Sequence, residues 1–293
     1  MTCLEPDLRR TWLIGPGADP VAHAAMQASG ADVLVVDWED FTPPARRRDA
    51  RDMLAPFVSG CRQAGAVPAV RINALEDCGR TDLAAAMAVR PDIVLYPMTE
   101  SAEQIQALDT AIAQLETEHG IAKGGTEIVP VCETALGVVA VRSIVAASGR
   151  ICAALLGSED LANDLNAERG PDAVELDYVR RRFLLECRAL KVEPIDAPYT
   201  FSDVEGALNE ALYARRLGYR SKSLVRPEQA APLNGVFTPS DEELRRAHAV
   251  VAAFDAARAR GEDRALVEGL WVEVPAYRNA QRLIDRAQRL GKR

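Results

Sequence analysis

Val33-Leu-Val-Val-Asp37-Trp-Glu39-Asp40 is the stretch whose reading decides the fold. Four apolar residues in a row, three of them β-branched, predict a strand buried on both faces, as in a parallel sheet. The run stops at a group of acidic residues. The same form recurs along the chain at 11–16, 67–72, 93–97, 128–132, 151–156, 193–197 and 222–225. Between the runs lie Ala-, Leu- and Arg-rich segments with helical spacing, such as Val179, Phe183, Cys187 and Leu190 within 177–190. Ser202-Asp-Val-Glu205 and Ser240-Asp-Glu-Glu243 read as capping boxes, and Gly30, Gly65, Gly149 and Gly218 stand where helices should stop. Eight strands alternating with helices predict an α/β chain, a (β/α)8 barrel, with a doubly wound open sheet as the competitor. No GxGxxG follows any strand, so the barrel is preferred.

Beyond Val236 the pattern changes to helical periodicity alone, at 242–259 and 277–290, with a charged stretch between them. The expected organisation is a barrel catalytic domain over 1–239 and a C-terminal helical lid and oligomerisation extension over 240–293, with Gly269 and Pro275 forming a hinge-like break.

Composition excludes several classes of function. The chain has 293 residues, is 48% hydrophobic and 27% charged, and so has the material for a large core. Its net charge of −8, from 35 basic and 43 acidic residues, argues against a general nucleic-acid binder. No apolar run approaches a membrane span, and residues 1–10 lack the apolar core of a signal peptide. The six cysteines form no CxxC pair, which predicts reduced thiols in a cytoplasmic protein.

In a barrel, chemistry sits at the C-terminal strand ends. Those ends are acidic here: Asp37, Glu39 and Asp40, then Glu133, then Ser158-Glu-Asp160, then Asp196. Carboxylates converging on one mouth repel each other unless a cation neutralises them. Glu133 and Asp160, with water, are the hard oxygen ligands that Mg²⁺ prefers, and Arg71 at the third strand end offers a planar fork for a substrate carboxylate. Asp37 and Glu39 are read either as substrate-binding groups or as loop anchors paired with Arg46–Arg48. His23, His119 and His248 fall in helices, which leaves no histidine for acid–base work at a strand end. Cys132 reads as a small core residue, Arg180–Arg182 as a solvated run on the outside of a helix, and Trp12, Trp38 and Trp271 as core.

Arg10-Thr-Trp-Leu-Ile-Gly-Pro-Gly17, Asp37-Trp-Glu-Asp40, Val70-Arg-Ile-Asn73, Glu133-Thr-Ala, Gly157-Ser-Glu-Asp-Leu161, Ile195-Asp-Ala-Pro-Tyr199 and Phe237-Thr-Pro-Ser240 occur in this order over essentially the whole chain. In this the chain resembles the citrate lyase β-subunit-like (CitE-like) branch of the HpcH/HpaI aldolase family, which includes malyl-CoA and citramalyl-CoA lyases. The resemblance implies a barrel, usually trimeric, that binds Mg²⁺ and cleaves or forms a carbon–carbon bond beside a CoA thioester, releasing or consuming a 2-oxoacid. It implies Glu133 and Asp160 as metal ligands, Arg71 as the substrate-carboxylate arginine, and Glu273 as the lid acid/base, where family lyases carry Asp. Asp37, Glu39, Glu133 and Asp196 join Arg71 as expected substrate-binding residues. Met98 and Arg226 stand where members commonly carry Lys and His. A non-CoA aldolase of the same superfamily, or a weakened homologue serving as a binding or regulatory subunit, are the alternative readings.

Overall fold

The computed structural model describes residues 4–291, with eight parallel strands closed into a barrel in chain order. The strands are β1 Thr11–Pro16, β2 Val33–Asp37, β3 Val67–Arg71, β4 Ile93–Tyr96, β5 Glu127–Cys132, β6 Ala153–Leu156, β7 Glu193–Tyr199 and β8 Lys222–Leu224. Pairing of Trp12 with Val33 at one end of the series and of Thr11 with Lys222 at the other closes the ring. The helices are α1 Pro20–Ala28, α2 Arg47–Asp52, α3 Leu54–Gln63, α4 Arg80–Val89, α5 Ala102–His119, α6 Ala135–Ala146, α7 Glu159–Asp164, α8 Asp177–Ala189, α9 Val204–Leu217 and α10 Ala230–Phe237.

Strand parity explains the continuous apolar runs. Val33, Val35, Val67, Ala69, Val129, Val131 and Ile195 fill the barrel interior, while alternate residues such as Leu34 and Val36 are buried on the other face. Both faces are dry, so neither can be polar.

The chain divides into two compact units, residues 1–234 and 235–293. The second contains α11 Asp241–Ala259, β9 Ala265–Val267, β10 Leu270–Val272 and α12 Val274–Arg289. Its core joins Phe254, Ala257, Ala265 and Val272, with Tyr277 stacked on Phe254 at 4.6 Å. The expected Ser240–Glu243 capping box is present at the start of α11. An all-helical tail is corrected: β9 and β10 form an antiparallel hairpin. Its turn residues Glu268 and Gly269 both have positive φ, 49° and 76°, as a two-residue hairpin turn requires. Gly269 is therefore a turn residue and not a hinge between helices. Three-residue strands are too short to carry a visible period. The Ser202 capping box is also corrected, since Asp203 is the N-cap of α9 and accepts from the Gly206 amide.

Candidate active site

Three interior positions in phase with the barrel core end at the C-terminal mouth as Asp37, Arg71 and Glu133. Asp37 and Arg71 are register partners across β2 and β3. Arg71 donates Nε to Asp37 Oδ1 at 2.8 Å and Nη2 to Asp37 Oδ2 at 2.6 Å. Its remaining edge faces other carboxylates: Nη2 is 3.3 Å from Asp40, and Nη1 is 2.9 Å from Glu39 and 3.9 Å from Glu133. Burial alone would lower the guanidinium's pKa, but Asp37, Glu39 and Glu133 outweigh that and raise it. The fork expected for a substrate carboxylate is thus partly used within the protein. Asp37 takes the Nε/Nη2 edge, and the Nη1/Nη2 edge is the one turned to the other acids.

Asp37 is fully buried and also accepts the amides of Glu39 and Phe41 at 3.0 Å each, which folds the acidic loop back over its own strand end. Pairing with Arg46–Arg48 is corrected. Arg46 bonds Asp49 and Arg47 bonds Asp77, because the interior phase of β2 points Asp37 away from α2 and toward Arg71.

Glu133 follows β5 and is 4% exposed. Its Oε1 accepts the Met98 amide at 2.8 Å, and Met98 adopts a left-handed backbone (φ 45°) to present that N–H. Desolvation raises the Glu133 carboxyl to about 7 against the pull of Arg71 and the Met98 amide, with Asp160 and Asp40 adding to the rise. Glu39 is raised to about 8, first by burial and then by Asp40, Glu133 and Asp37, with Arg71 opposing. Asp160, exposed in the first turn of α7, is also raised, by desolvation and by Asp40, with Arg71 opposing. The distances put Asp37, Glu39, Asp40 and Glu133 around one guanidinium, and Asp160 is a charge neighbour of Arg71, Asp40 and Glu133. The mouth is short of positive charge.

Asp196 does not join them. Ile195 points into the barrel, so Asp196 points out, and β7 runs on to Tyr199, so it is not a strand end. It is fully buried against Arg180 (2.7 Å) and Lys222 (2.8 Å), both of which also meet Glu210, at 3.3 and 3.0 Å. Burial raises the Asp196 carboxyl, but its two cations more than reverse this and hold it low. Arg180 is accordingly corrected from a solvated residue to one 1% exposed. Its long side chain reaches inward from α8 because the strand parity gives it a buried partner. Glu273 lies in the second unit at the N-cap of α12, exposed and making no capping bond. Trp12 and Trp38 are core as expected, whereas Trp271 is 58% exposed, on the hairpin beside Arg264.

Two supporting residues were given no individual role in the sequence reading. Gly157 leaves room for Glu133, as a Cβ there would stand 2.5 Å from the Glu133 Cβ. Asp40, third in its acidic group, reaches Arg71 itself. Gly157 heads the Gly-Ser-Glu-Asp stretch and was legible as a close approach.

Comparison with known proteins agrees with the barrel. The HpcH/HpaI aldolase/citrate lyase family model matches residues 10–227, more than half of the chain, and the chain belongs to that family. Its curated relatives are carbon–carbon lyases. Citrate lyase subunit beta of Leuconostoc mesenteroides subsp. cremoris is 31% identical over 96% of this chain and 93% of its own length. The L-malyl-CoA/beta-methylmalyl-CoA lyase of Cereibacter sphaeroides is 29% identical over 95% of this chain and 94% of its own. Among solved structures, CitE from Mycobacterium tuberculosis in complex with magnesium, acetoacetate and coenzyme A aligns with a TM-score of 0.76, covering 95% of this chain and 98% of that one at 28% identity. A citrate lyase from Burkholderia xenovorans LB400 aligns with a TM-score of 0.83 at 18% identity, covering 97% and 93%, which speaks to fold alone.

Proposed function

We propose that this protein is a Mg²⁺-dependent lyase that splits a 3-hydroxyacyl CoA thioester, of the malyl, citramalyl or citryl kind, into a 2-oxoacid and an acyl thioester, or joins them. The observation that carries this is the surplus of carboxylates over one guanidinium at the barrel mouth. Glu133 and Asp160 would hold the metal. Their carboxyl pKa values are raised, first by burial and then by neighbouring acids, against the pull of Arg71. Among the described residues no set of three or more His, Cys, Asp and Glu side chains is arranged to hold an ion. Mg²⁺ accepts one or two carboxylates when substrate oxygens and water complete the shell, so the pair fits it. When bound, the ion supplies electrostatic stabilisation of the negative charge that develops on the substrate hydroxyl oxygen.

The protein's own groups do the rest. Arg71, on the Nη1/Nη2 edge left by Asp37, orients the substrate carboxylate by charge-assisted hydrogen bonds. A carboxylate base takes the hydroxyl proton, the carbon–carbon bond breaks toward the thioester, and the enolate so formed takes a proton back. Glu273 is proposed as that acid/base, with residues 240–293 as the lid and the assembly as a homotrimer. Glu273→Gln should retain Mg²⁺ and oxoacid binding and lose turnover of malyl-CoA. Wild-type turnover in that variant would remove Glu273 from the chemistry. Metal and oxoacid binding with no turnover of any thioester by the wild type would favour a binding or regulatory subunit.

A further inference from the structure

Asp160 stands in the first turn of α7, a helix of six residues. So short a helix does not hold itself in water, and the Ser158 side chain makes no capping bond to its backbone. Something outside the helix therefore sets where Asp160 points. Buried Leu161 and Ala162, and the Asp164 carboxylate that accepts the Ala135 amide at 2.7 Å, hold the rest of α7, and Glu159 holds its first turn beside Asp160. Glu159 Oε1 accepts three hydrogen bonds, from Ser158 Oγ at 3.2 Å, Arg169 Nε at 3.0 Å and Thr200 Oγ1 at 2.7 Å. Those donors belong to the residue before α7, the loop after it, and the residue just past β7. Three segments meet at one oxygen.

Arg169 is itself held in place. Its Nη1 donates to Glu175 Oε1 at 2.7 Å and to the Gly170 carbonyl at 3.3 Å, and its guanidinium lies 5.5 Å from the Phe201 ring centroid. The Arg169 side chain is 11% exposed and that of Glu175 is 8% exposed, so this pair is screened much less than a surface pair. A planar guanidinium can meet two carboxylates and an aromatic face together, which an ammonium cannot.

We propose that Arg169 is a positioning residue: acting through Glu159, and together with Thr200, it fixes α7 so that Asp160 stays among the acids of the barrel mouth. Its effect on metal binding rests on the Mg²⁺ reading above, while its effect on α7 does not. Removing outer partners of metal ligands typically weakens metal binding roughly 10–100-fold, and because Arg169 acts one residue removed from Asp160 the lower end of that scale is expected here.

The test pairs calorimetric titration of Mg²⁺ with hydrogen exchange of the metal-free full-length protein, read at the Ala162 and Leu165 amides that bond the Ser158 and Leu161 carbonyls. Arg169→Gln should weaken Mg²⁺ binding roughly 10-fold or more and speed exchange at both amides. Arg169→Lys should recover part of each effect. Combining Glu159→Gln with Arg169→Gln should be no worse than the worse single change, because both open one latch. Wild-type affinity and exchange in a folded Arg169→Gln protein would overturn the proposal. If that variant does not fold, Thr200→Val, which removes one hydroxyl, is read in the same two ways: weaker binding and faster exchange support the proposal, and wild-type values overturn it. Should the wild type bind no Mg²⁺, the metal reading fails and exchange alone decides. Faster exchange then upholds the latch, and unchanged exchange overturns it.

Discussion

A Cβ on Gly157 would stand 2.5 Å from the Cβ of Glu133 and 2.9 Å from its Oε2, so the absence of a side chain at one position makes room for the carboxylate at the other. The first clash is with an atom bonded to the backbone, which no rotamer change relieves. Gly157→Ala should therefore destabilise the protein by about 1–3 kcal/mol and weaken Mg²⁺ binding by moving Glu133. Urea denaturation and metal titration check both. A variant of wild-type stability and affinity would mean that the strand ends give way easily.

The raised carboxyls predict how stability depends on pH. With Glu133 at about 7 and Glu39 at about 8 in the folded protein, against 4.5 ordinarily, the metal-free native state holds more protons than the unfolded chain between those values. The contribution of these two groups to stability should then fall as pH rises from 4.5 through 8, with buried His23, whose pKa is lowered, opposing it below 6.5. Saturating Mg²⁺ should flatten this decline, and Glu39→Gln should reduce it without metal. Melting temperatures across pH 5–8.5 measure it. A metal-free wild type with the same pH dependence as Glu39→Gln contradicts the charge deficit.

Arg71→Lys keeps a cation and loses the two-edged fork. The ammonium cannot hold Asp37 with two bonds and also present a planar edge to a ligand. Pyruvate binding should weaken by at least about 1.5 kcal/mol, the scale of a hydrogen bond to a charged group, while Mg²⁺ binding persists. Calorimetry separates the two. Unchanged pyruvate binding would assign the substrate carboxylate to another cation.

How much of this was legible in the sequence depends on the residue. The barrel was, because strands dry on both faces must be apolar throughout, and Asp37, Arg71 and Glu133 followed as polar residues placed where such runs end. Asp196 looked the same in sequence. Only its parity with Ile195, and the continuation of β7 to Tyr199, turn it outward to Arg180 and Lys222. The two three-residue strands of the hairpin were hidden for want of length, and the Arg169–Glu159 contact because it joins residues ten apart through a loop with no period.

That outward placement has its own consequence. Asp196→Ala leaves two buried cations short of a partner, which typically costs about 3–5 kcal/mol. The folded fraction should bind Mg²⁺ and pyruvate as the wild type does. Selective loss of pyruvate binding, with stability intact, would put Asp196 in the substrate site.

Thermal melting with and without Mg²⁺, on the wild type and on Glu133→Ala, tests the metal site most directly, since an ion bound only by the native state raises the melting temperature. The wild type should be stabilised by Mg²⁺ in proportion to the logarithm of its concentration above the dissociation constant, and Glu133→Ala should not respond. Without metal, relief of carboxylate repulsion in the variant is opposed by the loss of the Met98 hydrogen bond, so the response to Mg²⁺ and not the metal-free melting temperature is what decides. Equal stabilisation of both proteins by Mg²⁺ would contradict the assignment of Glu133 as a ligand and, with it, the proposed metal site at the barrel mouth.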